Sequence, residues 1–420
     1  MANLRLIGST RGAHRRRHTA RGLGMRHVVV ALAVLAVVYV AVQLLRPLSS
    51  PTLRSTATVS WTVPGTAPAL PWPATGSAAL AQAGVGTLGQ SGSTGAVPIA
   101  SIAKVLTTYV ILKDHPLSSG SQGPTITVNP DVVANYKAGL AGGQSEVAVA
   151  AGESLTEVQA LQGLLVGSGN DIALLLAEWD AGSQAAFVDK MNSAARALGM
   201  TSTHITDPSG LDPGTVASPA DVLRLGQLVM ADPLVRQIVA LPQVTLPTAG
   251  VVPNLDADLG KDGIVGIKTG TDLQAGGCFL FEAQQTTAAG SATLVGVVLG
   301  QQGTSYVGAA LASADKLVKA AFAAMRAVPI VPPGQSLGSV VAPWGASVPV
   351  TAPGAPQLAT LPGITLHGTL ERVHLGSSVP AGAKVGVLRL ETSSGASIDV
   401  TLRAGAALPG PGLSWRLTHL

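Results

Sequence analysis

A chain of 420 residues, 47% hydrophobic, 11% charged and 3% aromatic, can bury one large core and a smaller one, and it is too apolar for a disordered polymer. Its net charge of +4 does not describe the bulk of the chain: residues 1–27 hold seven arginines and no acid, which leaves 19 basic against 22 acidic residues elsewhere. A single cysteine, Cys278, excludes an intrachain disulfide, and no Cys/His cluster has zinc spacing, so neither a metal nor another cofactor is expected.

Residues 28–45 read VVVALAVLAVVYVAVQLL, an uncharged run that as a helix is about 27 Å long, close to the hydrocarbon thickness of a bilayer. Arginines before it and a Ser/Thr/Pro stretch after it predict a single-pass cell-membrane anchor, with a cytoplasmic N-terminus and an extracytoplasmic remainder. A cleaved signal peptide is the rival, but its apolar region is shorter, about 7–15 residues, and a small-residue cleavage site follows it. The basic tail 1–27 then serves membrane topology, and no nucleic-acid partner is expected.

Residues 46–68, rich in Ser, Thr and Pro, are expected as a linker. Ala78 to Leu88 suggests a strand pair, and Ile99 to Leu112 a buried helix stopped by KDHP. TITV and SEVAVA are expected as short strands. A capping box at Ser154 and Glu157 opens the next helix, and DIALLLAEWD forms another after SGN. SPADVLRLGQLVM is a further helix with Ser218 as its N-cap. GIVGIKTG, GGCFLFEA and ATLVGVVLG read as strands, followed by a helix from Val307 to Arg326. The pattern predicts an α+β domain over 69–328, an antiparallel sheet with helices and a helical insertion. After a hinge at VPIVPPG, the period changes to two, which predicts a small all-β domain over 331–420 with a hairpin turning at Ser393, Ser394 and Gly395.

One lysine interrupts the apolar run PIASIAKVLTTYVIL. Lys104 follows Ser101 by three residues, so on a helix both side chains share a face. A serine hydroxyl is a weak nucleophile until a base takes its proton, and a lysine becomes a base when apolar surroundings and a second positive charge favour its neutral form. Lys268 is the candidate for that second charge. A satisfied structural lysine is the plain alternative. Ser168-Gly-Asn170 can relay a proton and hold Lys104 or substrate, although Ser and Asn before a helix are also ordinary caps. Lys268-Thr269-Gly270 on a strand edge offers a charge and a hydroxyl to a carboxylate, against a solvated strand end as the simple reading. Gly270 lets a ligand approach the backbone, and the amides of Ser101 and Thr271 are candidate oxyanion donors.

S-x-x-K, S-x-N and K-T-G occur in this order, separated by 67 and 100 residues. A second S-x-x-K, Ser313 to Lys316, lies on an amphipathic helix and reads as solvated surface. With the stretches GESLTEVQALQGLLVGSGNDIA, ITDPSGLDPGTVASPADVLRLGQLV and GIVGIKTGTDLQAGGCFLF, the chain resembles the D-alanyl-D-alanine carboxypeptidases of the low-molecular-weight penicillin-binding protein family over about residues 70–328. The resemblance implies the penicillin-binding, β-lactamase-like fold. It implies Ser101 as nucleophile, Lys104 as base, Ser168 and Asn170 as the second catalytic element, and Lys268, Thr269, Gly270 and Thr271 at the substrate. It further implies removal of the terminal D-Ala from peptidoglycan stem peptides through an acyl-enzyme, and inhibition by β-lactams. Two departures stand out: GLSWRLTHL is too short for the amphipathic membrane-surface helix of many relatives, and Asp272 follows Thr271.

Three other readings share part of this pattern. A class A β-lactamase shares the motifs but carries a Glu-x-x-Leu-Asn-type loop, which is missing here. Gly334-Gln-Ser336-Leu-Gly338 matches the hydrolase G-x-S-x-G elbow, but it follows prolines and not a strand. A non-catalytic wall-binding or scaffold protein on the same fold could dispense with the chemical residues, yet all of them are present.

Overall fold

The computed structural model describes residues 21–54, 58–331, 335–391 and 397–419. The first twenty residues of the basic tail, and the expected turn at Ser393 to Gly395, lie outside them.

Helix α1 (Arg21–Leu45) contains a 22-residue stretch, Gly24–Leu45, long and apolar enough to cross a membrane. Its side chains are almost all exposed, as in a helix that has no protein core to join.

The central sheet has five strands in the order Ile264–Asp272, Gly276–Thr287, Gly290–Gln301, Ser77–Gln82, Gly86–Ser91, all antiparallel. Alternation on the second strand sorts its side chains between two cores. Cys278 and Leu280 join the helical side, while Phe279 and Phe281 face the C-terminal helix Tyr306–Ala324 through Ala314, Leu317 and Val318. This sheet is therefore covered on both faces.

The helical insertion lies between the strands Gly86–Ser91 and Ile264–Asp272. At its centre runs α2 (Ala103–Asp114), preceded by a 3-10 turn at Ala100–Ile102. Residues Ala103 to Thr108 are all buried, so α2 is a core helix rather than a surface one. Against it pack α4 (Glu157–Leu165) and α5 (Asn170–Ala181), and α3 (Pro130–Ala141) packs in turn on α5. Pro219–Val229 is a helix with Ser218 as N-cap, its hydroxyl accepting from Asp221 N at 3.1 Å, as expected.

Several local expectations are corrected. SEVAVA forms no strand; it carries no regular secondary structure. The capping box sits two residues later than expected: Thr156 Oγ1 accepts from Gln159 N at 3.1 Å, and Gln159 Oε1 accepts from Thr156 N at 2.9 Å. Ser154 is instead drawn into a short strand, Ser154–Thr156, paired with Thr125–Thr127. The C-terminal helix ends at Ala324, and Arg326–Pro329 is a strand paired with Gln357–Thr360.

The largest correction concerns the linker 46–68. Thr52–Arg54 and Thr58–Thr62 are strands, and they form the two edges of a seven-stranded sheet. Its order is Thr52–Arg54, Ser339–Val341, Ser347–Thr351, Ser397–Ala404, Lys384–Glu391, Thr365–Arg372, Thr58–Thr62. Leu53 is buried in the core of this β module beside Val340, Val385 and Leu402. The Ser/Thr richness that suggested a linker equally suits an edge strand with one face exposed.

Leu413–Thr418 forms a single short helix against α1: Tyr39 Oη donates to Leu417 O at 2.7 Å, and Arg416 Nη1 donates to Leu44 O at 2.6 Å. Ser336 of the G-x-S-x-G match is exposed and is followed by a strand, Ser339–Val341, so that match has no nucleophile-elbow geometry; Gly334 lies outside the described residues. Ser313 of the second S-x-x-K donates to Gln301 Oε1 at 2.9 Å and Lys316 is exposed, the surface role expected.

Candidate active site

Ser101 lies in the 3-10 turn that leads into α2. The residue before it, Ala100, has φ of +46°, a left-handed conformation that costs about 1–3 kcal/mol in a non-glycine residue. Packing maintains it: a side chain at Gly210 would run into Ala100 O, and Thr107 Oγ1 on α2 donates to Pro208 O at 2.7 Å. The loop 207–215 is thus pressed against the serine turn.

One turn on, the Lys104 side chain is fully buried. Its amine lies 2.8 Å from Ser101 Oγ, 2.6 Å from Asn170 Oδ1 and 3.4 Å from Ser168 Oγ. An ammonium donates to all three. A neutral amine donates to two of them and turns its lone pair to the Ser101 hydroxyl, the arrangement a base requires. Burial pushes the Lys104 pKa down to about 7, against the pull of the Asp207, Glu146 and Asp171 carboxylates.

Ser168 also has a left-handed backbone, φ +57°, and is buried. The helix-cap reading of SGN is corrected. Gly169 is the N-cap of α5 and offers no side chain, while Ser168 and Asn170 both turn to Lys104. The free N–H groups at this helix end are taken up by another segment: Asn170 N donates to Ser145 O and Asp171 N to Glu146 Oε2, both at 2.9 Å.

The third motif lies on the edge strand Ile264–Asp272. Lys268 is 2% exposed, so it is not a solvated strand end; its amine donates to Thr269 O at 2.9 Å. Its pKa is lowered well below that of an ordinary lysine, first by burial and then by Lys104, with Asp256 opposing. The expected second charge therefore bears on Lys268. For Lys104 the lowering comes from burial. Thr269 is buried and Thr271 exposed. A Cβ at Gly270 would fall 2.9 Å from Ser101 N, so the bare glycine brings the strand directly onto the serine amide. Asp272 closes the hairpin turn, accepting from Gln274 N at 2.7 Å and Ala275 N at 2.6 Å.

The site thus brings together Ser101, Lys104, Ser168 and Asn170 by direct contact and sets Gly270 beside Ser101. Sequence reading missed Glu146, Asp171 and Asp207. Asp207 gathers the loop 207–215: Oδ1 accepts from Ser209 N at 2.8 Å, Ser209 Oγ at 2.6 Å and Gly210 N at 2.8 Å, and Oδ2 from Asp212 N at 2.9 Å. Its signal was the turn-forming DPSGLD itself. Glu146 was signalled only by an acid in an apolar run. A cavity of about 440 Å³ opens beside Asn170, between Gln144, Leu174, Gln184, Asp207 and Leu211. Among the described residues no group of His, Cys, Asp and Glu could hold a metal ion.

A protein-family model for D-alanyl-D-alanine carboxypeptidase, peptidase family S11, matches residues 75–303. The D-alanyl-D-alanine carboxypeptidase DacB2 of Mycobacterium tuberculosis is 40% identical over 183 residues, covering 41% of this chain and 57% of that protein. DacC of Escherichia coli is 31% identical over 206 residues, 48% of this chain and 50% of that one. The chain therefore spans little more than half the length of these relatives. In structure, the Streptomyces K15 DD-transpeptidase superposes with a TM-score of 0.52 at 24% identity, covering 61% of this chain and 98% of that one, a likeness of fold. A penicillin-binding protein homologue from Mycobacterium tuberculosis gives 0.51 at 29% identity, covering 66% and 98%. The expected penicillin-binding fold is the fold observed. Since the matched region takes in more than half of the residues and all three motifs, the chain belongs to the S11 family of D-alanyl-D-alanine carboxypeptidases.

Proposed function

We propose that residues 69–328 form a serine D-alanyl-D-alanine carboxypeptidase that removes the terminal D-Ala from peptidoglycan stem peptides. The contact of the buried Lys104 amine with Ser101 Oγ carries this reading. The neutral amine takes the hydroxyl proton as Ser101 Oγ attacks the penultimate D-Ala carbonyl. The oxyanion forms between the amides of Ser101 and Thr271, which Gly270 leaves open. The proton passes from Lys104, with Ser168 3.4 Å away as relay, to the leaving D-Ala amine. Water then hydrolyses the ester on Ser101 and regenerates the hydroxyl. Lys268 and Thr269 receive the terminal carboxylate, whose charge draws a proton back onto the Lys268 amine. β-Lactams acylate Ser101 by the same attack.

In the same reading α1 anchors the chain in the cell membrane, with the arginine-rich tail inside and the catalytic unit outside. Labelling with a fluorescent penicillin tests the enzyme. Labelled wild type, unlabelled Ser101→Ala and loss of one D-Ala from a pentapeptide by mass spectrometry support it. A wild type that neither labels nor cleaves favours a non-catalytic wall-binding protein.

A further inference from the structure

The segment 144–147 lies across the first turn of α5 and matches it almost residue for residue. Asn170 Nδ2 faces Gln144 Oε1 at 3.5 Å, Asn170 N donates to Ser145 O, Asp171 N donates to Glu146 Oε2, and Val147 N donates to Asp171 Oδ1 at 3.0 Å. The other oxygen of each carboxyl, Glu146 Oε1 and Asp171 Oδ2, is buried and finds no donor among the described residues. The crossed bonds set the two carboxyl groups beside one another, and burial raises the pKa of both, as for carboxyls that share one proton.

We propose that Glu146 is a positioning residue for the acyl-transfer centre: with Asp171 it forms a one-proton carboxyl pair that locks the first turn of α5, and so holds the Asn170 amide against the Lys104 amine. The proposal rests on the reading of Ser101 and Lys104 given above.

Three observations fit. Asn170, the closest partner of Lys104, is the residue immediately before Asp171, so any loosening of that turn moves the amide. Gly139 on α3 has no side chain where a Cβ would overlap Glu146 Oε1, so the pair occupies a space left free for it. Burial, and then Glu146 itself, pushes Asp171 up to about 8, and burial raises Glu146 against the opposing Lys104 charge. The groups facing the pair are the Lys104 amine from α2 and the Asn170 amide from α5, while Asp207 adds its charge at Lys104. Holding one proton limits the pair to one negative charge. Its loss sets two carboxylates against each other and strengthens their hold on a Lys104 proton, which leaves less neutral amine to take the Ser101 proton.

The test uses the full chain in detergent micelles and the second-order rate of acylation by a fluorescent penicillin across neutral and alkaline pH. Glu146→Ala is expected to slow acylation about 10- to 100-fold by misplacing the amide, with the melting temperature showing a folded protein. Glu146→Gln and Asp171→Asn, which keep the shape with a proton that cannot leave, are expected to restore the rate and to abolish the alkaline fall near pH 8. A purely structural role would leave the pH profile unmoved. The proposal fails if Glu146→Ala acylates like wild type, or if Glu146→Gln is no better than Glu146→Ala. If Glu146→Ala does not fold, an alkaline limb in Glu146→Gln and Asp171→Asn identical to that of wild type overturns it. Wild type that takes no label at all sinks the underlying enzyme reading instead.

Discussion

Lys104 Nζ is held closer to Asn170 Oδ1, at 2.6 Å, than to the Ser101 hydroxyl, at 2.8 Å. The amide from the second motif sets the amine, and the amine then meets Ser101. The neutral amine at this point comes from burial, which brings the Lys104 pKa to about 7. Acylation by a β-lactam is therefore expected to fall about tenfold per pH unit below that value, where the amine is protonated, and to level above it only until the Glu146–Asp171 pair loses its proton near pH 8. Lys104→Ala is expected to lose about 10²- to 10⁴-fold. A rate independent of pH between 5.5 and 7.5, about one and a half units below to half a unit above the Lys104 pKa of about 7, would remove Lys104 as the base.

Gly270 tests the oxyanion assignment. Gly270→Ala places a methyl group 2.9 Å from Ser101 N and 3.3 Å from Ile102 N. The expected result is a loss of about 10²-fold in kcat on a D-Ala-D-Ala peptide, with a smaller change in KM. An unchanged kcat excludes the Ser101 amide as a donor.

In the proposed reading Lys268 meets the substrate carboxylate although it is buried and its pKa is depressed. Lys268→Ala is expected to lower kcat/KM on a free-acid peptide about 10- to 100-fold, in line with loss of a charge-assisted bond. The same peptide with an amidated C-terminus separates the roles. Equal losses on both peptides would assign Lys268 to the fold and not to recognition.

Glu157, at the start of α4, is fully buried, and neither carboxyl oxygen has a partner among the described residues. Burial raises its pKa from 4.5 to about 7. Because the folded value exceeds the unfolded one, its contribution to stability is complete below pH 4.5 and is lost as pH rises through about 7. Glu157→Gln, neutral throughout, is expected to melt progressively higher than wild type as pH increases across that window. Calorimetry giving a constant difference in Tm would exclude this linkage.

The edge strands make a prediction about the β module. A chain beginning at residue 331 lacks Thr52–Arg54 and Thr58–Thr62 and leaves Ser339–Val341 and Thr365–Arg372 as uncovered edges. Supplying residues 50–63 as a fused segment is expected to raise its Tm by at least about 5 °C. No gain would mean that these strands add little to that core.

Much of the site was legible in the sequence because its chemistry is packed into three short motifs: Ser101 and Lys104 sit one helical turn apart, and strand alternation places Lys268 and Gly270 on one face. The central sheet was legible for a similar reason, since GGCFLFEA can only be a strand covered on both sides. What escaped depends on contacts distant in sequence. Glu146 pairs with Asp171 across 25 residues, and SEVAVA alternates like a strand yet spends its hydrogen-bonding groups on a helix end. Thr58–Thr62 pairs with Thr365–Arg372, about 300 residues away, and no local pattern records that.

Strands from before and after the catalytic unit are woven into one sheet, which makes that unit an insertion carried on two stalks. A single cut in either stalk leaves it attached through the other. Its freedom to swing against the β module is also less than a one-stalk tether allows.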